Sequence, residues 1–458
     1  MIRIVTIIII AGIIVSIVAG FFLILPSNRF SIDSSHMSTT TQSITPKPEI
    51  DPVPVIPSNH IPMPQSIKGI YFTNWAAGTP SFRKSLFNLF DGTILNTVVI
   101  DVKDYSGRIG FEVSDPDLIK MGSVQKRIPD IKELITSLHA KGVYVIGRVA
   151  VFQDPFVVKV KPQWAVHDVR TGVLWKDSGG AYWADPTNRD FWKYIVAIAR
   201  ESYANGFDEI NFDYVRFPSD GAISSSVYSA LPKTLVIYKP LPVVADAKIS
   251  TGLSTTSTKI ATSTKSATST KIIATSTKIY VSGKSQVIRD FFKYLHDELA
   301  SSTSPTINIP ISVDIFGQVT SDTGDMGIGQ ILEDAMPYVD FIDPMVYPSH
   351  YINGFLGYDK PAKYPYEIVK YEMDQAVARS KAASSSPLLM RPWLQAFDLG
   401  AIYTPEMVRA QISATYDAGL TSWILWNAGS VYTKSTFLTD PKMTPVVSKL
   451  STASSTRP

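Results

Sequence analysis

The chain has 458 residues, of which 45% are hydrophobic and 18% are charged, and its formal net charge is +3. This composition leaves room for one large folded domain or two smaller ones. Because cysteine is absent, disulfides, thiolate metal sites and a cysteine nucleophile are excluded. Eight of the lysines lie within residues 222–284 beside a single aspartate. The remainder is therefore mildly acidic, which argues against nucleic acid as a partner.

Residues 4–25 form an apolar run, IVTIIIIAGIIVSIVAGFFLIL, whose only polar members are Thr6 and Ser16. At helical rise this run is long enough to cross a bilayer of about 30 Å, so residues 1–26 are predicted to be an uncleaved membrane anchor. A cleaved signal peptide is the alternative, although its apolar region normally spans about 7 to 15 residues. Arg3 precedes the run, which predicts a single-pass protein of the cell membrane with its main part outside the cytoplasm.

Residues 27–66 are rich in Pro, Ser and Thr, a composition that favours an extended linker. From residue 67 to residue 450, short apolar runs alternate with amphipathic stretches. We predict eight strands, which cover 67–75, 96–104, 142–152, the stretch that begins at 207, 307–317, 339–347, 388–397 and 421–429. Each of the first seven strands is followed by a predicted helix, and the fifth of these helices covers 328–336. Only a weak helix candidate, at 444–450, follows the last strand. Eight such units, with no glycine-rich phosphate loop after the first strand, predict an α/β fold, a (β/α)8 TIM barrel.

The pattern is interrupted after the fourth strand by residues 222–283, which contain TTSTK and three copies of ATSTK. Because these near-repeats have almost no apolar side chains to stack, they predict a disordered low-complexity insertion and not a solenoid. A glycosylated or wall-adhering arm and a tolerated surface loop are both open as its role.

The fourth strand lies in FDEINFDYVRFPSDG, residues 207–221, which is unusually rich in charge. Period-two alternation predicts that its apolar residues from Ile210 to Tyr214 face the helices, while Asp213 points into the barrel mouth. An uncompensated charge inside a barrel is costly, so Asp213 needs a partner, a ligand or a function. An ion pair with Arg216 that merely fixes the loop is the alternative to a functional role.

The same test finds polar or aromatic residues near the mouth on the other strands. They are Trp75, Asp101, Lys103, Arg148, Ser312, Asp314, Asp343, Tyr347, His350, Trp393, Gln395 and Trp426. Hydrolysis of a sugar–sugar bond requires such a set, because one carboxylate attacks or activates water, a second protonates the leaving oxygen, and aromatic faces hold the sugar rings. In the long loop after the third strand, sugar stacking and plain loop packing are both open for Trp164, Trp175 and Trp183.

Two common glycosidase patterns are absent. The seventh strand ends in Gln395 where some barrel glycosidases carry a Glu nucleophile, and Val215 stands where a chitinase-type motif would place its acid. What remains is an Asp on the fourth strand opposite an Asp on the fifth or sixth. This arrangement resembles the α-glucosidase, α-galactosidase and α-amylase groups, in which the Asp on the fourth strand is the nucleophile.

Five stretches carry a more specific resemblance: KGIYFTNWAAG, FDEINFDYVRFPSDG, VDIFG, DPMVYPSHY and RPWLQAFD. Together they resemble a bacterial family described as a glycosyl hydrolase domain, over residues 67–445 apart from the insertion. The phrase FDYVRFPSDG is the most specific part. The resemblance implies a (β/α)8 barrel and carbohydrate hydrolysis.

The sequence therefore predicts a glycoside hydrolase that acts on a polysaccharide or envelope glycan. In this hypothesis Asp213 is the nucleophile or base, Asp314 is the general acid and Asp343 is the substitute acid. The remaining candidates are predicted to bind sugar hydroxyls and rings. They are Trp75, Asp101, Lys103, Arg148, Arg216, Tyr347, His350, Gln395 and Trp426. No cofactor and no metal are expected, because the six histidines show no ligand spacing.

The main alternative is a surface-anchored barrel that binds carbohydrate without cleaving it. Such a protein needs the aromatic and cationic groups but not a matched pair of carboxylates. An esterase or deacetylase of sugars is a third possibility, but the chain has no Gly-x-Ser-x-Gly elbow and no metal-ligand cluster in its sequence. The sequence leaves the oligomeric state undetermined.

Overall fold

The computed structural model describes residues 59–240, 276–300 and 308–441. The predicted anchor at 1–26, most of the predicted linker and the weak helix at 444–450 lie outside these ranges. Within them, no helix combines the length and the apolar character that a membrane crossing needs.

Eight parallel strands form a closed barrel, each hydrogen-bonded to the next and the last to the first. They are β1 (Lys68–Phe72), β2 (Thr97–Lys103), β3 (Tyr144–Ala150), β4 (Glu209–Asp213), β5 (Ile311–Phe316), β6 (Phe341–Val346), β7 (Trp393–Gln395) and β8 (Trp423–Trp426). All eight predicted strands are present in the predicted order. The barrel class is confirmed.

A helix follows each of the first seven strands, which covers the outside of the barrel. The helices are α1 (Pro80–Phe90), α2 (Ile131–His139), α3 (Arg189–Ala204), α4 (Gly283–Leu295), α5 (Leu332–Ala335), α6 (Pro365–Ala382) and α7 (Pro405–Asp417). Three of them begin with proline, whose fixed φ and missing N–H suit the first helical turn. Helix α5 is shorter than the prediction of 328–336, because Gly327 and Gly329 adopt positive φ and cannot continue a helix there.

The two faces of the strands have different environments. Ile210 and Phe212 of β4 are fully buried in the main core between barrel and helices, as the alternation predicts. Inside the barrel, a smaller apolar cluster includes Val99, Tyr144 and Ile146. Because the active sites of such barrels form at the C-terminal ends of the strands, this cluster leaves that end for polar side chains.

The end of the predicted linker belongs to the barrel. His60 stacks on Tyr203 with ring centroids 3.9 Å apart, and Ile61 N–H donates to Asp208 Oδ1 at 2.9 Å. Asp208 also accepts hydrogen bonds from Val145 N–H and the His139 ring, both at 2.8 Å. Part of the predicted linker therefore contacts the barrel, where Ile61 packs against the cluster inside it.

Both ends of the predicted insertion have regular structure. Ser226–Val227 pairs antiparallel with His167–Asp168 in the loop after β3. Leu235–Pro240 and Ser276–Val281 form a two-stranded antiparallel sheet of their own. The prediction of disorder is wrong for these segments, and residues 241–275 lie outside the described part of the chain.

Candidate active site

Arg148 of β3 joins three carboxylates from three other strands. Its Nη1 donates to Asp101 Oδ1 at 2.7 Å, and its Nη2 donates to Asp213 Oδ2. Its Nε lies 3.9 Å from Asp314 Oδ2. The guanidinium is 5% exposed and the three acids are buried with it. The barrel thus brings together Asp101, Arg148, Asp213 and Asp314, four of the residues predicted from the sequence.

Asp213 pairs with Arg148 and not with Arg216, so the loop-fixing ion pair considered from the sequence is not formed. Its Oδ1 accepts a hydrogen bond from the backbone N–H of Tyr214 at 2.5 Å. Tyr214 has a φ of +55°, in the left-handed region that non-glycine residues seldom occupy. This turn ends the strand alternation, but the Tyr214 ring still packs against the main core between barrel and helices, as predicted. It also lies 5.5 Å from the Arg216 guanidinium.

Asp314 of β5 is held by two donors from neighbouring strands. Its Oδ1 accepts from Trp393 Nε1 at 2.7 Å and from Asn211 Nδ2 at 2.9 Å. Burial and the nearby charges of Asp213 and Asp343 raise the pKa of Asp314 well above its ordinary value. The environment of this carboxyl therefore favours its protonated form.

A second charged cluster lies inside the barrel around Arg391. Its guanidinium donates to both oxygens of Asp343 at 2.9 and 2.7 Å, and to Glu209 Oε1 at 2.6 Å. The hydroxyl of Ser312 donates to the same Glu209 oxygen at 2.5 Å. Burial raises the pKa of Asp343 to about 6 despite the opposing effect of Arg391. Because both oxygens of Asp343 accept hydrogen bonds from Arg391, Asp343 is a poorer proton donor than Asp314.

Aromatic side chains flank the acids. Tyr71 O–H donates to Asp101 Oδ2 at 2.5 Å, and the Trp426 ring stacks on Tyr71 with centroids 4.0 Å apart. The Arg148 guanidinium lies 4.9 Å from the Trp426 ring centroid. Tyr347 packs edge-on against the ring of His350, and burial lowers the pKa of that imidazole.

Sequence reasoning selected Trp393 but missed Tyr71 and Asn211 as site residues. Both occupy inward positions on their strands, so the alternation that selected Asp213 could also have selected them. Asn211 links Asp314 to Asp343, since its Nδ2 also lies 3.0 Å from Asp343 Oδ2.

Two predicted sugar-binding residues have structural partners instead. Lys103 is fully buried, forms an ion pair with Asp154 at 2.9 Å and donates to a backbone carbonyl of β3. Gln395 accepts from Ser349 N–H at 3.1 Å and donates to Phe397 O at 2.9 Å, so it ties two loops together. In this structure neither side chain is offered to a ligand.

The tryptophans divide into two groups. Trp175 and Trp183 are buried and pack within the loop after β3, whereas Trp164 is half-buried. Trp75 is 55% exposed, and the guanidinium of Arg127 lies 4.5 Å from its ring centroid. Trp75 therefore presents an open aromatic face after β1.

A cavity of about 330 Å³ lies among the segments that follow β7 and β8. Its lining includes Phe397, Asp398, Tyr403, Asn427 and Tyr432, and none of the predicted site residues is among the described residues that line it. The Tyr432 hydroxyl donates to Tyr71 O at 2.9 Å, which connects the cavity wall to the aromatic side of the acid cluster. Among the described residues, no three acidic or histidine side chains are arranged to hold a metal ion.

Glu372 of α6 supports the loop that carries the end of β5. Its carboxylate accepts from Thr320 Oγ1 at 2.5 Å and from Ser321 Oγ at 3.2 Å. Burial raises the pKa of Glu372 to about 7 from an ordinary value of 4.5. The folded protein therefore binds this proton more tightly than the unfolded chain does, and the resulting stability is lost as the pH rises through about 7.

Replacing Glu372 with Gln is expected to stabilise the protein by about 3 kcal/mol at pH 8 and by less than about 1 kcal/mol at pH 5. Gln removes the cost of ionising a buried carboxyl above the folded pKa. Urea unfolding at both pH values measures the effect. Glu367, exposed on the same helix, provides the control variant Glu367→Gln. An equal effect of the two substitutions at pH 8 would contradict the prediction.

A parallel eight-stranded barrel with acids, cations and aromatic rings at the carboxyl ends of its strands has the architecture of TIM-barrel enzymes that act on glycosidic bonds. A family described as “Putative glycosyl hydrolase domain” matches residues 69–432, and the chain belongs to this family. The resemblance noted from the sequence is confirmed. Glycoside hydrolase is accordingly the enzyme class to which the chain is assigned.

The chain is similar to two solved structures. The chain is similar to the PgaB (BpsB) glycoside hydrolase domain from Bordetella bronchiseptica, with 13% identity, a TM-score of 0.52, and coverage of 80% of this chain and 95% of that one. It is also similar to a hypothetical protein from Ruminiclostridium thermocellum ATCC 27405, with 25% identity, a TM-score of 0.37, and coverage of 53% and 96%. The first similarity supports the barrel fold. A comparison with curated proteins gives no match.

Proposed function

We propose that the protein hydrolyses glycosidic bonds in a polysaccharide or envelope glycan, with Asp213 as nucleophile or base and Asp314 as general acid. The observation that carries this proposal is that both carboxylates contact Arg148 but have different environments. Pairs of carboxyl groups with contrasting environments divide the acid and base roles in glycosidases. The predicted location outside the cytoplasm is part of the same proposal.

The geometry supports a division of labour. Arg148 donates a hydrogen bond to Asp213 and holds this carboxylate in place as the nucleophile or base. The raised pKa of Asp314 suits it to donate a proton to the leaving oxygen. Because one guanidinium contacts both groups, they lie no farther apart than the roughly 9.5 Å that the acid pairs of glycosidases span.

The surrounding side chains suit the binding of sugar rings. Trp426 and Tyr347 supply aromatic surfaces, and Asp101 supplies an acceptor for hydroxyl groups. Trp75 supplies an open face farther from the acids, which suits a substrate longer than one sugar.

A barrel that binds glycans without cleaving them is the second candidate. It is favoured by the burial of the acids, since Asp314 is 1% exposed and Asp213 is 6% exposed in the absence of a ligand. The two candidates differ in one measurable property. Only the enzyme releases new reducing ends from a panel of labelled glycans incubated with the full chain.

The acid role of Asp314 is tested by varying the leaving group. We expect Asp314→Asn to slow hydrolysis of a natural glycan by about 10²- to 10⁴-fold, because the leaving oxygen then receives no proton. An aryl glycoside with a dinitrophenolate leaving group needs no proton and should be slowed much less. The ratio of kcat/KM for the two substrates is the measurement.

Asp343→Asn is the matched variant for this test. If Asp343 were the acid, this substitution would show the leaving-group dependence and Asp314→Asn would not. Equal slowing of both substrates by Asp314→Asn would remove Asp314 from the acid role. Absence of hydrolysis by the unaltered chain on every glycan would favour the binding candidate.

A further inference from the structure

Arg216 is half-buried, whereas Asp213 and Asp314 are buried, and it lies between aromatic rings from β5 and from the loop after β3. Its guanidinium carbon is 4.8 Å from the ring centroid of Trp183 and 4.8 Å from that of Phe316. Phe316 follows Asp314 by two residues in β5, so both occupy the same face of the strand. Arg216 follows Asp213 by three residues. The charge of Asp213 acts on this guanidinium, so Arg216 lies near one of the two proposed catalytic groups.

This guanidinium has no carboxylate partner within ion-pair distance in the described part of the chain. Nη1 donates to Phe217 O at 3.1 Å and to Ser219 Oγ at 3.3 Å, and the remaining N–H groups donate to no described residue. By contrast, Arg148 and Arg391 each contact two or more carboxylates. A charge that is withdrawn from water needs a partner, so this unpaired guanidinium among aromatic rings points to a ligand that supplies one.

The charges of Asp213, Asp220 and Asp177 act on Arg216, but none of these three acids forms an ion pair with it. Asp177 accepts hydrogen bonds from Trp183 Nε1 and Ala181 N–H, both at 2.9 Å, and is thereby held in the loop after β3. Burial and the neighbouring Asp177 raise the pKa of Asp220. Burial also lowers the pKa of Arg216, which indicates that its charge is poorly solvated. An anionic group from a ligand would relieve this poor solvation.

We propose that Arg216 forms a subsite for an oxyanion carried by the glycan, a carboxylate, sulfate or phosphate group on a sugar beside the bond to be cleaved. The location of the subsite relative to the cleaved bond rests on the proposed function, whereas the binding itself does not. A planar guanidinium pairs with such groups through two parallel hydrogen bonds. The rings of Trp183 and Phe316 limit its movement and leave its edge free for this contact. The substrate class is thus an acidic glycan.

The test uses one sugar with different groups at position 6. The full chain is titrated with D-glucose, D-glucuronate, glucose 6-sulfate and glucose 6-phosphate, and with acetate and inorganic phosphate alone. Saturation-transfer NMR and tryptophan fluorescence report binding, because Trp183 lies beside the guanidinium. We expect at least one oxyanion sugar to bind at least about tenfold more tightly than glucose, with the strongest arm identifying the group.

Two variants and one control make the result specific. Arg216→Gln should abolish the preference for the oxyanion sugar. Asp220→Asn should strengthen the preference for the oxyanion sugar, because the substitution removes a carboxylate that repels the oxyanion. Arg189 on α3 also covers a tryptophan, with its guanidinium carbon 3.6 Å from the Trp192 ring centroid, so Arg189→Gln is the matched control and should change nothing.

Equal binding of glucose and all oxyanion sugars, or a preference that survives Arg216→Gln, would overturn the proposal. Binding of acetate or phosphate alone as tightly as the sugars would also overturn it, because the glycan would then contribute nothing. Hydrolysis is measured separately on neutral and acidic labelled glycans. If Arg216-dependent binding occurs without hydrolysis of any glycan, the proposed function fails and this inference stands. If neutral glycans are hydrolysed as fast as acidic ones, only this inference fails.

Discussion

Asp213→Asn is expected to lower kcat/KM for glycan hydrolysis by about 10³-fold or more while the barrel stays folded. Asn has nearly the same shape as Asp, and its one carbonyl oxygen can keep the hydrogen bond from either Arg148 or the Tyr214 N–H. It lacks the negative charge that attacks the sugar or activates water. Arg148 keeps Asp101 as a partner, which limits the structural cost. Steady-state kinetics on the best glycan from the panel, together with a thermal melt, measures the two effects.

Asp208→Asn is the control for this prediction. Asp208 belongs to the same sequence stretch but lies at the opposite end of the barrel, where it holds His139 and Ile61. Its replacement should reduce stability and leave kcat/KM unchanged for the folded protein. A similar loss of activity in both variants, or none in Asp213→Asn, would contradict the role assigned to Asp213.

Arg391→Met is expected to destabilise the protein by at least about 3 to 5 kcal/mol at pH 7. Glu209 and Asp343 are fully shielded from solvent, and the substitution leaves these buried carboxylates without a cation. Burial raises the pKa of Asp343 to about 6, so its protonation relieves part of the cost and the loss should be smaller at pH 5. Urea unfolding at the two pH values gives the free energies.

Two further variants check the cause of that loss. Adding Glu209→Gln and Asp343→Asn to Arg391→Met removes the uncompensated charges and should recover part of the stability. Arg200 forms an exposed ion pair with Glu298 at 2.7 Å, and Arg200→Met should cost less than about 1 kcal/mol. If Arg391→Met costs no more than Arg200→Met, the buried cluster is not a source of stability.

The order and type of the elements could be read from the sequence because hydrophobic periodicity is a local property. Ile210 and Phe212 pack outward as period-two alternation requires, and Asp213 points into the barrel. In two places the backbone conformation departs from the predicted strand and helix patterns. Tyr214 leaves the alternation through its left-handed backbone, and the glycines before α5 shorten that helix.

The assignment of partners depended on the folded barrel. Arg216 was the sequence neighbour of Asp213, but the ion pair forms with Arg148, 65 residues away. Lys103 and Gln395 lie at strand ends as predicted. Lys103 forms an ion pair with Asp154, however, and Gln395 donates a hydrogen bond to a loop backbone carbonyl. Spacing along a strand gives the face of a residue but not which group on an adjacent strand reaches it.

The sequence by itself determined the succession of eight strands and their helices, the family, and the acids at the strand ends, because these depend on local periodicity and on motifs. Only the tertiary structure decided which acids share a cation and which cation is left unpaired. Those contacts join residues on different strands, and they depend on the register and closure of the barrel.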